Sequence, residues 1–510
     1  MNWNDVKMIG IDEMEVMLPI GFKFKTKPWK HQIACLLSTI ACIDNFGTGF
    51  LNCLDMGTGK TKIAIDYARY LYYLSDKKSI RVFVVSLNSA VENWADEVTK
   101  HSDMVPHSLR GNKKEKLKLL ENNNSGFYII NYEGLRSILT AKKEKKEITY
   151  YSKKKTKILN DTLRSIFENK FDLLIIDESH KCKNNNSQNF KIISQIAKLI
   201  PKRILLTGTP FGNNLLDIWT QYYIIDFGKT FFSSFNNYKI TYFNNEKKYF
   251  YGGIIPNWII KPGAEKLIKE KFFERAIRYT ENEVEELPEK VYRISEYILN
   301  AEQLNAYKLA LENLVTNISG NKQSISDKTM IFRQVCSGFI KRTGKIFDNN
   351  PKLKVLDDLI EQIVSDHKIV IFHEFIQEGL MIEELLKKKK IKYNKLNGSA
   401  KDKHKEYTTF NDDKNHRIMI AHPMSGGMSI NLVTASYCVF FSNGYKVIDR
   451  KQCEKRIHRA GQKSERVFYY DLIGKDTIEK GILENLMNGL DSFDRILNEQ
   501  DLINMVNGSK

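Results

Sequence analysis

Leu51-Asn-Cys-Leu-Asp-Met-Gly-Thr-Gly-Lys-Thr61 decides how the rest of the chain is read. An apolar run, the signature of a buried strand, breaks into two glycines and then a lysine and a threonine. Gly57 and Gly59, with Thr58 between them, let backbone N–H groups turn inward around a phosphate. Lys60 brings a point charge for the β/γ oxygens, and Thr61 a hydroxyl for Mg²⁺. A helix starting near Lys60 adds its positive dipole end. The strict phosphate-loop pattern wants a glycine six residues before the lysine, where Leu54 stands. Gly-x-Gly-Lys-Thr after a strand still points to a nucleotide.

A second element agrees. Asp177-Glu178-Ser179-His180 follows four apolar residues, which puts two carboxylates at the C-terminal end of a strand, where α/β sheets carry ligand chemistry. Asp177 is expected to hold Mg²⁺, directly or through water. Glu178 is expected to orient and deprotonate the attacking water. The two motifs together predict hydrolysis of ATP or GTP. Thr207-Gly208-Thr209-Pro210 ends a further strand, and its hydroxyls are placed to link the hydrolysis site to lobe movement.

Working outward, short apolar runs alternate with amphipathic stretches from about residue 50 to 225 and again from about 351 to 480. Arg81–Ser86, Gly126–Asn131, Phe171–Asp177 and Arg203–Thr207 in the first block read as buried parallel strands. His367–Phe372, Arg417–Ala421 and Tyr437–Ser442 repeat the pattern in the second. This predicts an α/β protein with two lobes, 1–227 and 351–510, joined by a mostly helical accessory region and connector at 228–350. Helices are expected over Ala264–Arg278 and Glu302–Val315. A lysine-rich insert, Ala141 to Lys157, interrupts the first lobe as either a protruding hairpin or a disordered loop.

The 510 residues carry 79 Lys+Arg against 61 Asp+Glu, a formal charge of +18, so a polyanionic partner is expected, nucleic acid before membrane surface. Hydrophobic content of 42% and charged content of 27% exclude wholesale disorder. The most apolar early stretch, Ile33 to Ile43, is shorter than the ~18–20 residues of a membrane span, and Asp5, Asp12, Glu13 and Glu15 do not suit a signal peptide. Seven cysteines without C-x-x-C spacing read as reduced thiols of an intracellular protein, not as a zinc site.

Near the C-terminus, Gln452-Cys-Glu-Lys-Arg456-Ile-His-Arg459-Ala-Gly461-Gln462 sets Arg456 and Arg459 three apart on one helix face. With this, the ordered motif set resembles helicase superfamily 2, and within it the Swi/Snf-type ATPases. Trp29-Lys-His-Gln32 resembles the upstream glutamine motif, and Asp55–Thr61 motif I. Val85–Trp94 is similar to motif Ia and Ile130-Asn-Tyr-Glu133 to motif Ib. Asp177–His180 resembles motif II, Leu206–Pro210 motif III, Ile371–Phe375 motif IV, Ser425–Leu432 motif V and Gln452–Gln462 motif VI. Asp226-Phe-Gly-Lys, Tyr251-Gly-Gly, Phe273–Arg278 and Glu286–Val291 resemble the branch of annealing helicases and fork remodellers, with the usual arginine pair loosened to Arg275 and Arg278.

The resemblance implies two RecA-like lobes with ATP and Mg²⁺ at their cleft, Gln32 reading adenine, Gln452 at the nucleotide, and Arg456 and Arg459 as arginine fingers. It implies ATP-driven translocation on duplex, forked or branched DNA, touched through Ser89, Tyr132, Asn397, Gly398 and Ser425, with salt-sensitive, structure-selective binding. A monomer without membrane contact is expected, in the cytoplasm or nucleoid, or in a host cell; the Asn/Lys/Ile richness would suit an AT-rich genome such as a bacteriophage's. Two other motors compete with this reading: a transcription-associated or protein-displacing one, and a strand-separating DNA or RNA helicase.

Overall fold

The computed structural model describes residues 10–55, 57–76, 78–122, 124–141, 157–158, 161–208, 215–250, 253–284, 287–316, 322–398, 400, 402–423, 430–459 and 461–489. The chain forms two compact units, Met1–Glu286 and Leu287–Lys510, each built on one parallel sheet.

Among the described residues, the main sheet of the first unit has seven strands: β1 (Gly49–Leu54), β2 (Arg81–Ser86), β3 (Pro106–Ser108), β4 (Gly126–Asn131), β5 (Leu173–Ile176), β6 (Lys202–Thr207) and β7 (Ala276–Tyr279). Their order is β7-β1-β6-β5-β2-β4-β3, and every pairing is parallel. Because side chains alternate across a strand, Leu51, Phe83, Val85, Leu174, Ile176 and Leu205 enter one core cluster. Phe50, Val82, Val84, Leu173, Ile175, Ile204 and Leu206 enter the other. Both faces are thus covered by helices, which is why the strands read as unbroken apolar runs. Each fully buried Val, Leu or Ile contributes about 1.5–3 kcal/mol. The order leaves the ends of β1, β6 and β5 side by side, so the loops carrying Gly57–Thr61, Gly208 and Asp177–Glu178 leave one edge of the sheet together.

The second unit repeats the plan with β8 (Glu289–Tyr297), β9 (Ile369–Phe372), β10 (Tyr393–Leu396), β11 (Ile418–Ala421), β12 (Tyr437–Phe440) and β13 (Arg466–Gly474), in the order β8-β13-β12-β9-β11-β10. These pairings are also all parallel.

The region 228–350 divides between the units instead of standing as a connector. The helix expected over Ala264–Arg278 stops at Phe272, and Ala276-Ile-Arg-Tyr279 becomes the edge strand β7 beside β1. Ala276, Ile277 and Tyr279 are buried there, and a helix would have drawn these apolar groups off the sheet. Likewise β8, well before residue 351, pairs with β13 over nine residues. The helix at Ala301–Thr316 lies where it was expected.

The aromatic run after Gly228 is core material. Phe231 and Tyr238 are buried and pack with Tyr222, the Tyr222–Phe231 ring centroids 4.8 Å apart. Strands Phe243–Phe250 and Gly253–Ile260 then form an antiparallel hairpin. Asp226 ties this region down. Its carboxylate accepts the N–H groups of Gly228, Lys229 and Thr230 at 3.0–3.1 Å, and Arg275 Nε lies 3.3 Å from Oδ2. Gly228 has φ +93°, and a Cβ there would lie 2.3 Å from Ser233 N, so no larger residue fits.

Of the lysine-rich insert, the flanks are described. Thr140–Ala141 pairs antiparallel with Lys157–Ile158, the stem of a hairpin, while 142–156 lies outside the described residues. Among the described residues no helix is long and apolar enough to cross a membrane.

Candidate active site

The loop after β1 is shaped by two glycines in the left-handed region, Gly57 at φ +89° and Gly59 at φ +82°, where a side chain would be strained. Gly59 caps helix α2 (Lys60–Leu74) and brings no side chain to compete for its first-turn N–H groups. Lys60 is nearly buried, and its ammonium curls under the loop to donate to the Leu54 and Asp55 carbonyls at 2.9 and 3.2 Å. Thr58 Oγ1 donates to Asp55 O at 2.8 Å. Thr61 sits in the first turn of α2.

From below, helix α1 (Lys30–Phe46) braces the same loop. His31 Nε2 lies 2.7 Å from Thr58 O, and Gln32 Nε2 donates to it at 3.2 Å. Gln32 Oε1 in turn accepts the Trp29 N–H at 3.0 Å. The glutamine expected to read adenine is thus also the clasp between helix start and phosphate loop.

Asp177 and Glu178 follow β5. Asp177 is held on every side. Its N–H donates to Val85 O at 2.9 Å, Oδ1 accepts the Glu178 N–H at 3.0 Å, Oδ2 accepts the Trp94 indole N–H at 2.9 Å, and its carbonyl accepts the Tyr132 hydroxyl at 2.8 Å. Glu178 adopts φ +50°, ψ +52°, a left-handed backbone costly for a residue with a side chain and typical of functional turns. His180 Nδ1 lies 3.1 Å from Glu178 Oε2 and 3.3 Å from Thr207 Oγ1, so the third strand end reaches the acidic pair through one imidazole.

The two carboxylates are driven apart in acidity. Burial pushes Asp177 up to about 6, the charge of Glu178 adding to it and the Trp94 bond and Lys60 opposing. Burial also acts to raise Glu178, but the His180 hydrogen bond and the charges of Lys60, His180 and Lys181 outweigh it and hold that carboxyl below its ordinary range. Lys60 is therefore close enough to act on both, which joins the phosphate loop and the acidic pair in one electrostatic site. An ammonium, a hydroxyl and hard oxygen donors at a glycine-rich helix start fit a nucleotide with Mg²⁺.

Tyr132 requires a correction. Expected on the DNA surface, it is 3% exposed, and its hydroxyl is committed to Asp177, because the side chain of the first residue of helix α4 (Tyr132–Ile138) points under the sheet edge. The surface groups nearby are Asn88, in the Asn88–Ala90 turn, and Asn131, joined by an Asn131 Nδ2–Asn88 Oδ1 bond of 3.1 Å. Arg110 Nη1 also donates to Asn88 Oδ1, at 2.6 Å. Ser89 lies in that turn, its side chain outside the described residues. Trp94, on helix α3 (Val91–His101), ended a quoted motif without a role. An indole N–H among apolar neighbours, needing a buried acceptor, was the available signal.

In the second unit, helix α5 (Val447–Glu454) carries Gln452, half-buried. Arg450 fastens this helix, its Nη2 donating to Asp471 Oδ2 at 3.0 Å and its Nε to Glu454 Oε1 at 2.8 Å. Past α5, Arg456 is 4% exposed and donates Nη2 to Pro423 O at 2.9 Å, while Leu432 N–H donates to Arg456 O at 2.9 Å. Its guanidinium is turned into its own unit, toward Pro423. Arg459 is half-buried. Asn397 and the exposed Gly398 follow β10, and Ser425 lies outside the described residues.

The family models complete the picture: residues 31–341 match the SNF2-related domain and 351–461 the helicase conserved C-terminal domain. The chain belongs to the SNF2-related family. Relatives include the uncharacterized ATP-dependent helicase MG018 of Mycoplasma genitalium, 26% identical over 84% of this chain and 38% of that protein. The nuclear protein STH1/NPS1 of Saccharomyces cerevisiae is 25% identical over 92% of this chain and 34% of its own length. ISW1 of the same yeast, the ATPase of an ISWI chromatin-remodeling complex, is 24% identical over 88% and 38%. The chain spans about two fifths or less of the length of these curated relatives. Among solved structures, the Sulfolobus solfataricus SWI2/SNF2 ATPase core in complex with dsDNA aligns with 97% of this chain and 100% of that one, at 20% identity and a TM-score of 0.42.

Proposed function

We propose that the chain is a DNA-dependent ATPase that translocates on duplex DNA and remodels forked or branched intermediates by branch migration or annealing. The observation that carries this is the adjacency of β1, β6 and β5, which brings the Gly57–Lys60 loop and the Asp177–Glu178 pair to one sheet edge in a chain of the SNF2-related family. In this reading Gly57, Thr58, Gly59 and Lys60 cradle the phosphates of ATP, and Thr61 and Asp177 hold Mg²⁺, which supplies charge neutralisation on the phosphates. Glu178, kept ionised by His180, orients and deprotonates the water. Gln32 and Gln452 lie at the nucleotide, Arg459 serves as an arginine finger, and Arg456 becomes the second when its guanidinium releases the Pro423 carbonyl. The +18 charge supplies phosphate contacts along the DNA.

The preference for forks and junctions rests on the sequence elements at 226–291 that resemble annealing helicases. ATP turnover measured with single-stranded, duplex, forked and four-way DNA tests it: forked or four-way DNA should stimulate most, and equal stimulation by all duplex forms would remove the remodelling reading. A second reading, a motor that displaces bound protein, draws on the chromatin-remodeling relatives. It predicts that a protein block on duplex DNA is cleared in an ATP-dependent way while a four-way junction is left intact.

A further inference from the structure

Two buried side chains from separate helices converge on one residue of the candidate site. Trp94, 1% exposed, comes from α3, which follows β2. Tyr132, at the start of α4, follows β4. The first fixes Asp177 by its carboxylate and the second by its carbonyl, at 2.9 and 2.8 Å, and the Tyr132 hydroxyl lies 3.4 Å from the next carbonyl, of Glu178. The Tyr132 bond is not needed merely to fill the core, since a phenylalanine there keeps the ring and loses only the hydroxyl. Both spend a polar hydrogen on the Mg²⁺-binding candidate.

The starts of the same two helices also reach solvent. The Asn88–Ala90 turn before α3 and the Asn131 cap of α4 are joined side chain to side chain; the exposed Arg110, which donates Nε to Glu92 Oε1 at 3.1 Å, completes the cluster, and Asn131 Nδ2 lies 3.3 Å from Glu133 Oε2. β2 and β4 are paired in register up to Ser86–Asn131, so the two helix starts form one rigid lip. A close-packed interior transmits small displacements instead of absorbing them. A phosphate backbone drawn to Arg110 and the asparagines therefore pushes on the two helices whose buried donors set the position of Asp177.

Resting on the reading of the chain as a DNA-dependent ATPase, we propose that Trp94 and Tyr132 are positioning residues. They carry occupancy of the Asn88–Asn131 lip by duplex DNA to the Asp177 carboxylate, and so make nucleotide binding depend on DNA.

The test uses Trp94→Phe, Tyr132→Phe and the double variant in the full chain. Mg²⁺-dependent affinity for a fluorescent ADP analogue is measured with and without duplex, and duplex affinity by anisotropy with and without nucleotide. Thermal melting monitors folding. In the wild type each ligand should change the affinity of the other by one common factor, as linkage requires. In each variant that factor should fall at least about fivefold towards one, and the double variant should lose little more than the singles, because both bonds act on one residue. Variants that keep the wild-type factor overturn the proposal. If Trp94→Phe melts too early to be assayed, Tyr132→Phe, which removes a single hydroxyl, decides alone. A wild type whose factor is already one overturns the proposal but leaves the ATPase reading intact, whereas a wild type that binds no duplex overturns both.

Discussion

The imidazole of His180 stands between Glu178 and Thr207, 3.1 Å from the first and 3.3 Å from the second. It is the largest influence that opposes the burial of Glu178. Replacing His180 by alanine should therefore raise the pKa of Glu178, so more of the base is protonated in mildly acidic solution. The acid limb of ATP turnover, measured between pH 5 and 8, should move to higher pH in His180→Ala. An unchanged limb would show that Glu178 is not the group titrating.

Asp177 titrates in the opposite sense. Its folded value near 6 lies above the ordinary 3.8, so the folded chain binds the proton more tightly than the unfolded one, and stability falls as pH rises through that window. Asp177→Asn removes the titration. The stability of the variant relative to wild type should grow by about 2–3 kcal/mol between pH 4 and 7 in the absence of nucleotide, read from urea unfolding at each pH, while hydrolysis is lost. A buried carboxylate kept at this cost is typical of a functional group.

The two arginines of the second unit should separate in experiment. Arg456→Ala strands the Pro423 carbonyl and should cost about 1–3 kcal/mol of stability as well as turnover. Arg459→Ala should lower turnover about 10³-fold. Differential scanning fluorimetry beside an ATPase assay distinguishes them.

The ion pair of Asp226 with Arg275 is buried, the carboxylate fully so. Asp226→Ala leaves a buried guanidinium and three backbone N–H groups without their acceptor, and should destabilise the first unit by about 3–5 kcal/mol. Denaturant unfolding should show it as a lower midpoint.

Much of the candidate site was legible because its chemistry is local. Gly57–Thr61 and Asp177–Glu178 are short strings whose residue types match their task, and the buried strands announced themselves as apolar runs. What escaped was long-range. Ala276–Tyr279 is too short to distinguish from the helix before it, and only its place beside β1 makes it a strand. The nine residues of β8 are mostly exposed or half-buried, as those of an edge strand can be, and so lacked the apolar run that marked their neighbours. Tyr132 was read from its motif as a surface residue, and nothing in the string reveals that the Asp177 carbonyl, 45 positions later, would claim its hydroxyl. The direction of Arg456 was hidden for the same reason.

The central claim is that Lys60 and the acidic pair form an ATPase site governed by DNA. Steady-state ATP turnover of the wild type and of Lys60→Ala, with and without saturating duplex DNA at low salt, tests it most directly. The predicted result is turnover that duplex raises several-fold, that rising salt suppresses, and that Lys60→Ala reduces at least about 100-fold. Turnover that duplex leaves unchanged, or that survives loss of the Lys60 ammonium, would contradict it.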